Sequence, residues 1–139
     1  MSIIRALFMS ALISLVWGAG ETRAAELLMF EAPGCPYCKA WHAQVGVGYP
    51  KSSEGQRAPL RTVALAKANE AGVKLASPIT VSPTFVLVDN GREIGRIVGY
   101  PGADFFWAML DELMSKLDHK QSQLDPSGGK TLPRSADTV

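Results

Sequence analysis

Residues 26–38 read ELLMFEAPGCPYC, and this segment predicts how the chain begins to fold. Its first five residues are mostly apolar and stand just before the turn-forming run Ala32-Pro33-Gly34, which predicts a short buried strand. Pro36 follows Cys35 at the position in a first helical turn that proline favours, because its missing N–H group costs nothing there. The segment therefore predicts a strand that leads directly into a helix, with Cys35 at the helix start and Gly46-Val47-Gly48 at its end.

The rest of the chain alternates between strand-like and helix-like segments. Residues 84–88 are apolar without alternation, which predicts a central strand covered on both faces. Asp89-Asn90-Gly91 predicts a hairpin that joins this strand to a more polar strand at 92–98. The other expected elements are a strand over 60–65, helices over 67–75 and 103–117, and a loop over 49–59 with one helical turn near Ser52. This order predicts an α/β fold with a mixed central four-stranded sheet flanked by helices.

The composition of the chain excludes several classes of protein. Of the 139 residues, 47% are hydrophobic and 19% are charged, as in an ordinary globular domain. The formal net charge of +1 gives no broad basic surface, so we expect no nucleic-acid partner. Two cysteines exclude a disulfide-dense scaffold and a self-contained four-cysteine zinc site. We expect no metal, no cofactor and a monomeric protein.

The two ends of the chain are expected to lie outside the folded domain. Arg5 is followed by 15 uncharged residues, fewer than the about 20 that a membrane-spanning helix needs. Small residues surround Ala24, so we expect residues 1–24 to be a secretory signal peptide cleaved near this position. An uncleaved anchor or a buried helix are the alternatives. The domain would then cover residues 25–118, and the polar residues 119–139 are expected to form a disordered tail.

The spacing of the two cysteines indicates redox chemistry. Two intervening residues put Cys35 and Cys38 in the first turn of the helix, where their sulfurs are close enough to form a disulfide. Backbone N–H groups at the helix start would stabilise a Cys35 thiolate, so we expect Cys35 to be the nucleophile and Cys38 the resolving thiol. An inert structural disulfide is one alternative, and a Cu(I)-binding site formed with His42 is another. Haem attachment is excluded, because it needs a histidine where Lys39 stands.

Two motifs resemble those of the thioredoxin superfamily. The run Gly34-Cys35-Pro36-Tyr37-Cys38-Lys39 after a short strand looks like the active site of that superfamily, and its Pro36-Tyr37 pair is typical of glutaredoxins. The run Ser82-Pro83-Thr84 resembles the superfamily's cis-proline segment, which lies beside the active-site disulfide. The resemblance covers about residues 26–117 and implies a thioredoxin-like fold with thiol–disulfide oxidoreductase activity. It also implies a cis bond before Pro83, catalytic Cys35 and Cys38, and a substrate site formed by Pro36, Tyr37, Ser82, Pro83 and Thr84.

A finer resemblance is to the small periplasmic thioredoxins of bacterial sulfur-oxidation (Sox) systems, the SoxS type. It is carried by residues 29–38, by Trp41-His42, by residues 85–97 and by the run Gly99-Tyr100-Pro101-Gly102 with Phe105-Phe106-Trp107. It implies a periplasmic reductase that keeps the reactive cysteine of an exported client, such as a Sox sulfur carrier, in the reduced form. Because a dithiol drifts to the disulfide in an oxidising compartment, a membrane thiol protein would have to donate electrons. A disulfide oxidase or isomerase is the alternative within the same chemistry.

The chain departs from the thioredoxin pattern near the cysteines. Thioredoxins carry a buried acid in the first strand that shuttles protons, and Met29 stands at that position here. Proton transfer would then fall to water, Glu31 or Lys39. The glutathione-binding Gly-Gly-x-Asp segment of glutaredoxins is not evident after Val98, which argues against glutathione as the electron donor.

Overall fold

The computed structural model describes residues 25–124, and a four-stranded sheet forms the centre of the fold. The strands are β1 (Glu26–Glu31), β2 (Leu60–Ala64), β3 (Thr84–Asp89) and β4 (Arg92–Val98). They lie in the order β2-β1-β3-β4, with β1 parallel to β2 and antiparallel to β3, and with β3 antiparallel to β4. The predicted α/β fold with a mixed four-stranded sheet is therefore confirmed. The expected signal peptide, residues 1–24, and residues 125–139 lie outside the described residues.

Helices cover the sheet and connect its strands. The α-helices are α1 (Pro36–Trp41), α2 (Ser53–Arg57) and α3 (Ala103–Leu124). The other helical turns are a π-helical turn that continues α1 at His42–Gly46 and 3₁₀ helices at Tyr49–Lys51 and Leu65–Glu70. Within residues 25–124, none of these helices is both long and apolar enough to cross a membrane.

Alternate side chains of β1 point to opposite faces of the sheet and take part in two cores. Leu27 and Met29 join the larger core with residues of α1 and α3, whereas Leu28 and Phe30 join the smaller core on the other face. Each fully buried apolar side chain contributes about 1.5–3 kcal/mol to the free energy of folding. This two-sided burial holds β1 at the centre of the sheet and fixes the position of its carboxyl end.

Trp41 anchors α1, the helix that carries the cysteines, in the larger core. Its side chain is fully buried. Its ring centroid lies 5.1 Å from that of Phe85 on β3 and 5.6 Å from that of Phe106 on α3. Contacts with both the sheet and α3 therefore fix the position of α1 at the end of β1.

The apolar face predicted for the last helix is buried against the sheet. It consists of Phe106, Leu110, Leu113, Met114 and Leu117. On β4, a Cβ atom added to Gly95 would lie 2.6 Å from Leu113 Cδ2. Glycine at this position therefore allows α3 to pack closely on β4.

The α3 helix is longer than the sequence predicted. Residues 119–124, expected to begin a disordered tail, continue the helix. Two contacts hold this end of α3: Asp118 pairs with Arg57 on α2, and Lys120 Nζ lies 3.5 Å from Asp89 Oδ2 at the end of β3. The prediction was wrong because polar composition is equally typical of an exposed helix, and neither glycine nor proline interrupts this stretch.

Of the two segments beside β2, the one before it was predicted correctly and the one after it was not. The helical turn expected near Ser52 is α2, which begins where the Ser52 side chain accepts a hydrogen bond of 3.0 Å from the Gly55 N–H. The helix expected over 67–75 is wrong, because the chain forms only a short 3₁₀ helix there. Gly72 adopts a φ of +73°, in the left-handed region that ends helices.

Candidate active site

Cys35 and Cys38 form a disulfide at the start of α1, directly after β1. Their Cα atoms are 5.3 Å apart, because the two intervening residues complete about one helical turn. Gly34 adopts a φ of +77° in the turn that leads into the helix, which glycine does without a steric penalty. The buried strand and the helix anchored by Trp41 therefore fix the positions of both sulfurs at the end of β1.

The two sulfurs lie in different environments. Cys35 is the N-cap residue of α1, and its Sγ accepts a hydrogen bond of 3.1 Å from the Cys38 backbone N–H. Cys35 is partly exposed, whereas Cys38 is only 4% exposed. An N–H donor stabilises a thiolate on Cys35, and burial disfavours a thiolate on Cys38. The arrangement therefore suits Cys35 to attack an outside sulfur and Cys38 to react within the protein.

The loop before β3 brings the second predicted motif to the disulfide. The Ser82–Pro83 peptide bond is cis, as the resemblance implied. Ser82 Oγ lies 3.2 Å from Cys38 Sγ and accepts a hydrogen bond of 2.8 Å from the Ala32 backbone N–H. The Gly99 N–H donates to the Pro83 carbonyl at 2.7 Å. The loop is therefore tied both to the segment before the cysteines and to the segment after β4.

An open groove of about 390 Å³ lies beside Pro83. Its lining includes three predicted substrate residues and three that the sequence did not single out for this role: Tyr37, Ser82, Pro83, Val81, Val98 and Tyr100. Tyr37 is 61% exposed and Val98 is 55% exposed, so apolar surface faces solvent next to the cysteines. The sequence carries no signal that marks Val98 as a groove residue, because single exposed apolar side chains are common on protein surfaces.

Two of the predicted substrate residues are not part of the groove lining. Thr84 is 2% exposed, and its hydroxyl donates to the Val81 carbonyl at 2.7 Å, so its side chain supports the loop. Pro36 is exposed in the first turn of α1. A substrate contact by either residue stays a prediction, and for Thr84 that contact would have to come from the backbone.

Gln44, in the π-helical turn that continues α1, holds the Tyr100 ring at the groove. The Tyr100 hydroxyl donates a hydrogen bond of 2.7 Å to Gln44 Oε1. Burial, followed by the nearby Asp104 carboxylate, raises the pKa of Tyr100 above its ordinary value. Tyr100 therefore presents a neutral, fixed ring to the groove at physiological pH.

His42 faces a carboxylate. Its Nε2 lies 2.9 Å from Glu31 Oε2, and both side chains are partly exposed. In residues 25–124, no three side chains of His, Cys, Asp or Glu are grouped so that they could hold a metal ion. The Cu(I) site considered from the sequence would need Cys35 and Cys38 as free thiols, and in this structure they form the disulfide.

Comparisons with known proteins agree with this geometry. A family model described as a thioredoxin-like domain matches residues 18–114. The periplasmic thioredoxin SoxS from Paracoccus pantotrophus, in its reduced form, is 45% identical to this chain with a TM-score of 0.65, and the match covers 67% of this chain and 98% of that chain. Thioredoxin Mala s 13 from Malassezia sympodialis is 24% identical with a TM-score of 0.50, covers 64% of this chain and 76% of its own, and is similar in fold alone. The comparison with curated proteins finds no match.

The family match spans most of the chain and includes every element of the sheet, the cysteine pair and the cis proline. The Cys35–Cys38 disulfide stands at the start of α1, where the sequence resemblance implied the active-site pair. The chain belongs to the thioredoxin-like family, and it is a thiol–disulfide oxidoreductase.

Proposed function

We propose that this protein is an exported reductase that keeps the reactive cysteine of a client protein reduced in the periplasm. The observation that carries the proposal is the 45% identity to a periplasmic thioredoxin, SoxS, over 98% of that chain. In this proposal residues 1–24 direct export and are cleaved near Ala24. The client is an exported protein with one reactive cysteine, and a Sox-type sulfur carrier is the first candidate.

The reaction consists of two exchange steps. The Cys35 thiolate attacks a sulfur of the client's disulfide, a mixed disulfide forms, and the other sulfur of that disulfide leaves with the electron pair. Cys38 then attacks Cys35, so the Cys35–Cys38 disulfide forms and the client is released as a thiol. The partial exposure of Cys35 and the burial of Cys38 support this order of attack.

The groove beside Pro83 supports a polypeptide client. It is open and shallow, with Tyr37 and Val98 exposed along it, and so offers apolar contacts to an extended segment on either side of a cysteine. A compact metabolite is instead typically enclosed in a deep pocket. We propose that the client's cysteine segment lies in this groove while its sulfur is bonded to Cys35, with the protein acting as a monomer.

Each turnover leaves the protein as the Cys35–Cys38 disulfide, which must be reduced before the next one. An oxidising compartment does not supply electrons from a soluble thiol pool, so the donor is proposed to be a membrane thiol protein. The donor's thiolate would attack Cys35, the more exposed sulfur, and release Cys38 as the leaving group.

A mixed-disulfide trap in the native host tests the client. In the Cys38→Ala variant the second step is blocked, so the client should stay bonded to Cys35 and be identified by mass spectrometry after non-reducing separation. The Cys35→Ala/Cys38→Ala variant is the matched control and should trap nothing. Failure to trap any exported protein through Cys35 would contradict the proposal.

The redox state in cells tests the direction of electron flow. Thiol trapping should find the protein mainly reduced when the membrane donor is present and oxidised when it is deleted. A protein that is fully oxidised in both strains would exclude the reductase and favour the disulfide oxidase.

A further inference from the structure

We infer that Ser82 is a catalytic residue, whose hydroxyl stabilises the negative charge that develops on Cys38 Sγ during exchange. The inference rests on the proposed exchange through Cys35 and Cys38, but not on the identity of the client or the direction of electron flow. It takes Ser82 beyond the substrate contact that its place before Pro83 implied.

The contacts of Ser82 define the direction of its hydrogen bond. A disulfide sulfur carries no hydrogen, so in the 3.2 Å contact with Cys38 Sγ the Ser82 hydroxyl is the donor. Ser82 Oγ also accepts a hydrogen bond of 2.8 Å from the Ala32 N–H. The backbone of Ala32 therefore occupies a lone pair of the oxygen and leaves its hydrogen for the sulfur.

The apolar surroundings of Cys38 explain why a hydrogen-bond donor to its sulfur would matter. Cys38 and the fully buried Met29 lie in the same apolar core, and such surroundings disfavour a thiolate. The titratable side chains on the neighbouring segments, Glu31, Lys39 and His42, are at least partly solvent accessible, and Glu31 and His42 pair with each other. The structure thus places a neutral hydroxyl next to Cys38, in a chain whose β1 carries Met29 in place of the acid of thioredoxins.

Negative charge develops on Cys38 in both directions of exchange. When Cys38 resolves a mixed disulfide, it loses its proton, the Cys35–Cys38 bond forms and the Cys35–client bond breaks. The client sulfur leaves with the electron pair and takes up a proton from solvent, which balances the proton that Cys38 released. When a donor thiolate attacks Cys35 of the oxidised protein, Cys38 itself leaves as the thiolate. A fixed O–H donor stabilises that charge in both cases.

Two pairs of variants isolate the hydroxyl. Ser82→Ala is compared with the unsubstituted protein, and Ser82→Val is compared with the nearly isosteric Ser82→Thr. If both pairs show the same change, the effect comes from loss of the hydroxyl and not from side-chain size. The second pair remains available if Ser82→Ala does not fold. Thr80→Ala removes an exposed hydroxyl from the same loop and is the control.

The pKa of Cys38 is the first measurement. It is made in a Cys35→Ser background, by the ultraviolet absorbance of the thiolate. Loss of one hydrogen bond to a charged group should raise this pKa by about one unit, which corresponds to about tenfold less thiolate below the pKa. Thr80→Ala should leave it unchanged.

The rate of resolution is the second measurement. An aromatic disulfide that carries two thionitrobenzoate groups reacts with the reduced protein, and the second coloured ion leaves when Cys38 attacks. Below the Cys38 pKa, the variants without a hydroxyl should resolve about threefold more slowly, because about tenfold less thiolate is offset by greater nucleophilicity of the more basic sulfur. Above both pKa values they should be as fast as, or up to about threefold faster than, their hydroxyl-bearing partners.

The shapes of the two pH–rate profiles decide the outcome. Profiles that converge or cross at high pH, together with a raised Cys38 pKa in both pairs, support the inference. Parallel profiles with an unchanged pKa overturn it, because a purely structural defect slows the reaction equally at every pH. If the unsubstituted protein releases no second ion, the proposed dithiol exchange has failed, and the Cys38 pKa in the Cys35→Ser background still decides the role of Ser82.

Discussion

Alkylation of the reduced protein is expected to be much faster at Cys35 than at Cys38. Two variants separate the thiols: Cys38→Ala leaves only Cys35, and Cys35→Ala leaves only Cys38. The hydrogen bond to Cys35 Sγ comes from the backbone N–H of residue 38, so it survives the first substitution. Each variant therefore keeps the remaining sulfur in its native surroundings.

The expected difference follows from those surroundings. A hydrogen bond to a charged acceptor contributes about 1.5–3 kcal/mol, so the backbone N–H of residue 38 favours the thiolate form of Cys35. Cys38 has 4% of its surface exposed, and this burial opposes the stabilisation that Ser82 supplies. At about pH 6 the thiolate fraction of Cys35 should thus exceed that of Cys38 by about tenfold or more.

Timed reaction with iodoacetamide, followed by intact-mass spectrometry, measures both rates. The ratio should be largest at about pH 6 and should shrink above about pH 10, where both thiols are ionised and only access to the reagent differs. Equal rates at the lower pH would refute the reasoning, because neither the backbone donor nor the exposure of Cys35 could then control its reactivity.

Three further predictions concern the stability of the fold and the groove beside Pro83. Lys120→Ala should lower the free energy of unfolding, measured in urea, by up to about 1 kcal/mol, because the Lys120 ammonium group, 3.5 Å from the buried Asp89 carboxylate, is partly exposed and solvent screens the pair. An unchanged midpoint would show that this carboxylate has sufficient partners without it. For Glu93, burial is the largest single influence and raises the pKa, but the hydrogen bonds from Arg96 and from the Ala76 N–H, together with the Arg96 charge, outweigh it, so the net shift is downward. The stability that Glu93→Gln removes should be present above about pH 4.5 and disappear as the pH falls through the lower folded-state pKa; an equal loss at neutral pH and about pH 3 is the contrary result. Tyr37→Ala should reduce kcat/KM for a polypeptide disulfide by about tenfold with little effect on a small aromatic disulfide, and an equal effect on both would argue against contact with the client.

The sequence predicted the parts of this protein that depend on neighbouring residues. The turn before Cys35, the proline after it and the apolar strand at 84–88 are local patterns, and each is found where it was expected. The stripe of apolar residues on α3 was predicted for the same reason. The prediction of a disordered tail failed for residues 119–124, because partners on α2 and β3, which are distant in the sequence, hold this end of the helix.

Contacts across the sheet could not be read from local patterns. The Ser82–Cys38 contact joins residues 44 positions apart and exists only once β1 and β3 have paired. The sequence placed Ser82 near the disulfide through resemblance alone, and no local signal indicated which sulfur its hydroxyl would meet.

The mixed arrangement of the sheet is what assembles the site. Antiparallel pairing of β1 with β3 aligns Phe30 with Thr84, so the end of β1, which leads to the cysteines, lies beside the start of β3, which follows the proline. This alignment lets the Ala32 N–H reach Ser82 Oγ and so directs the hydroxyl to Cys38. A shift of one residue in this register would turn each side chain of one strand to the opposite face and separate these groups. The burial of β1 on both faces therefore serves the active site as well as the stability of the fold. It fixes the register of β1 with β3, on which the contact between Cys38 and Ser82 depends.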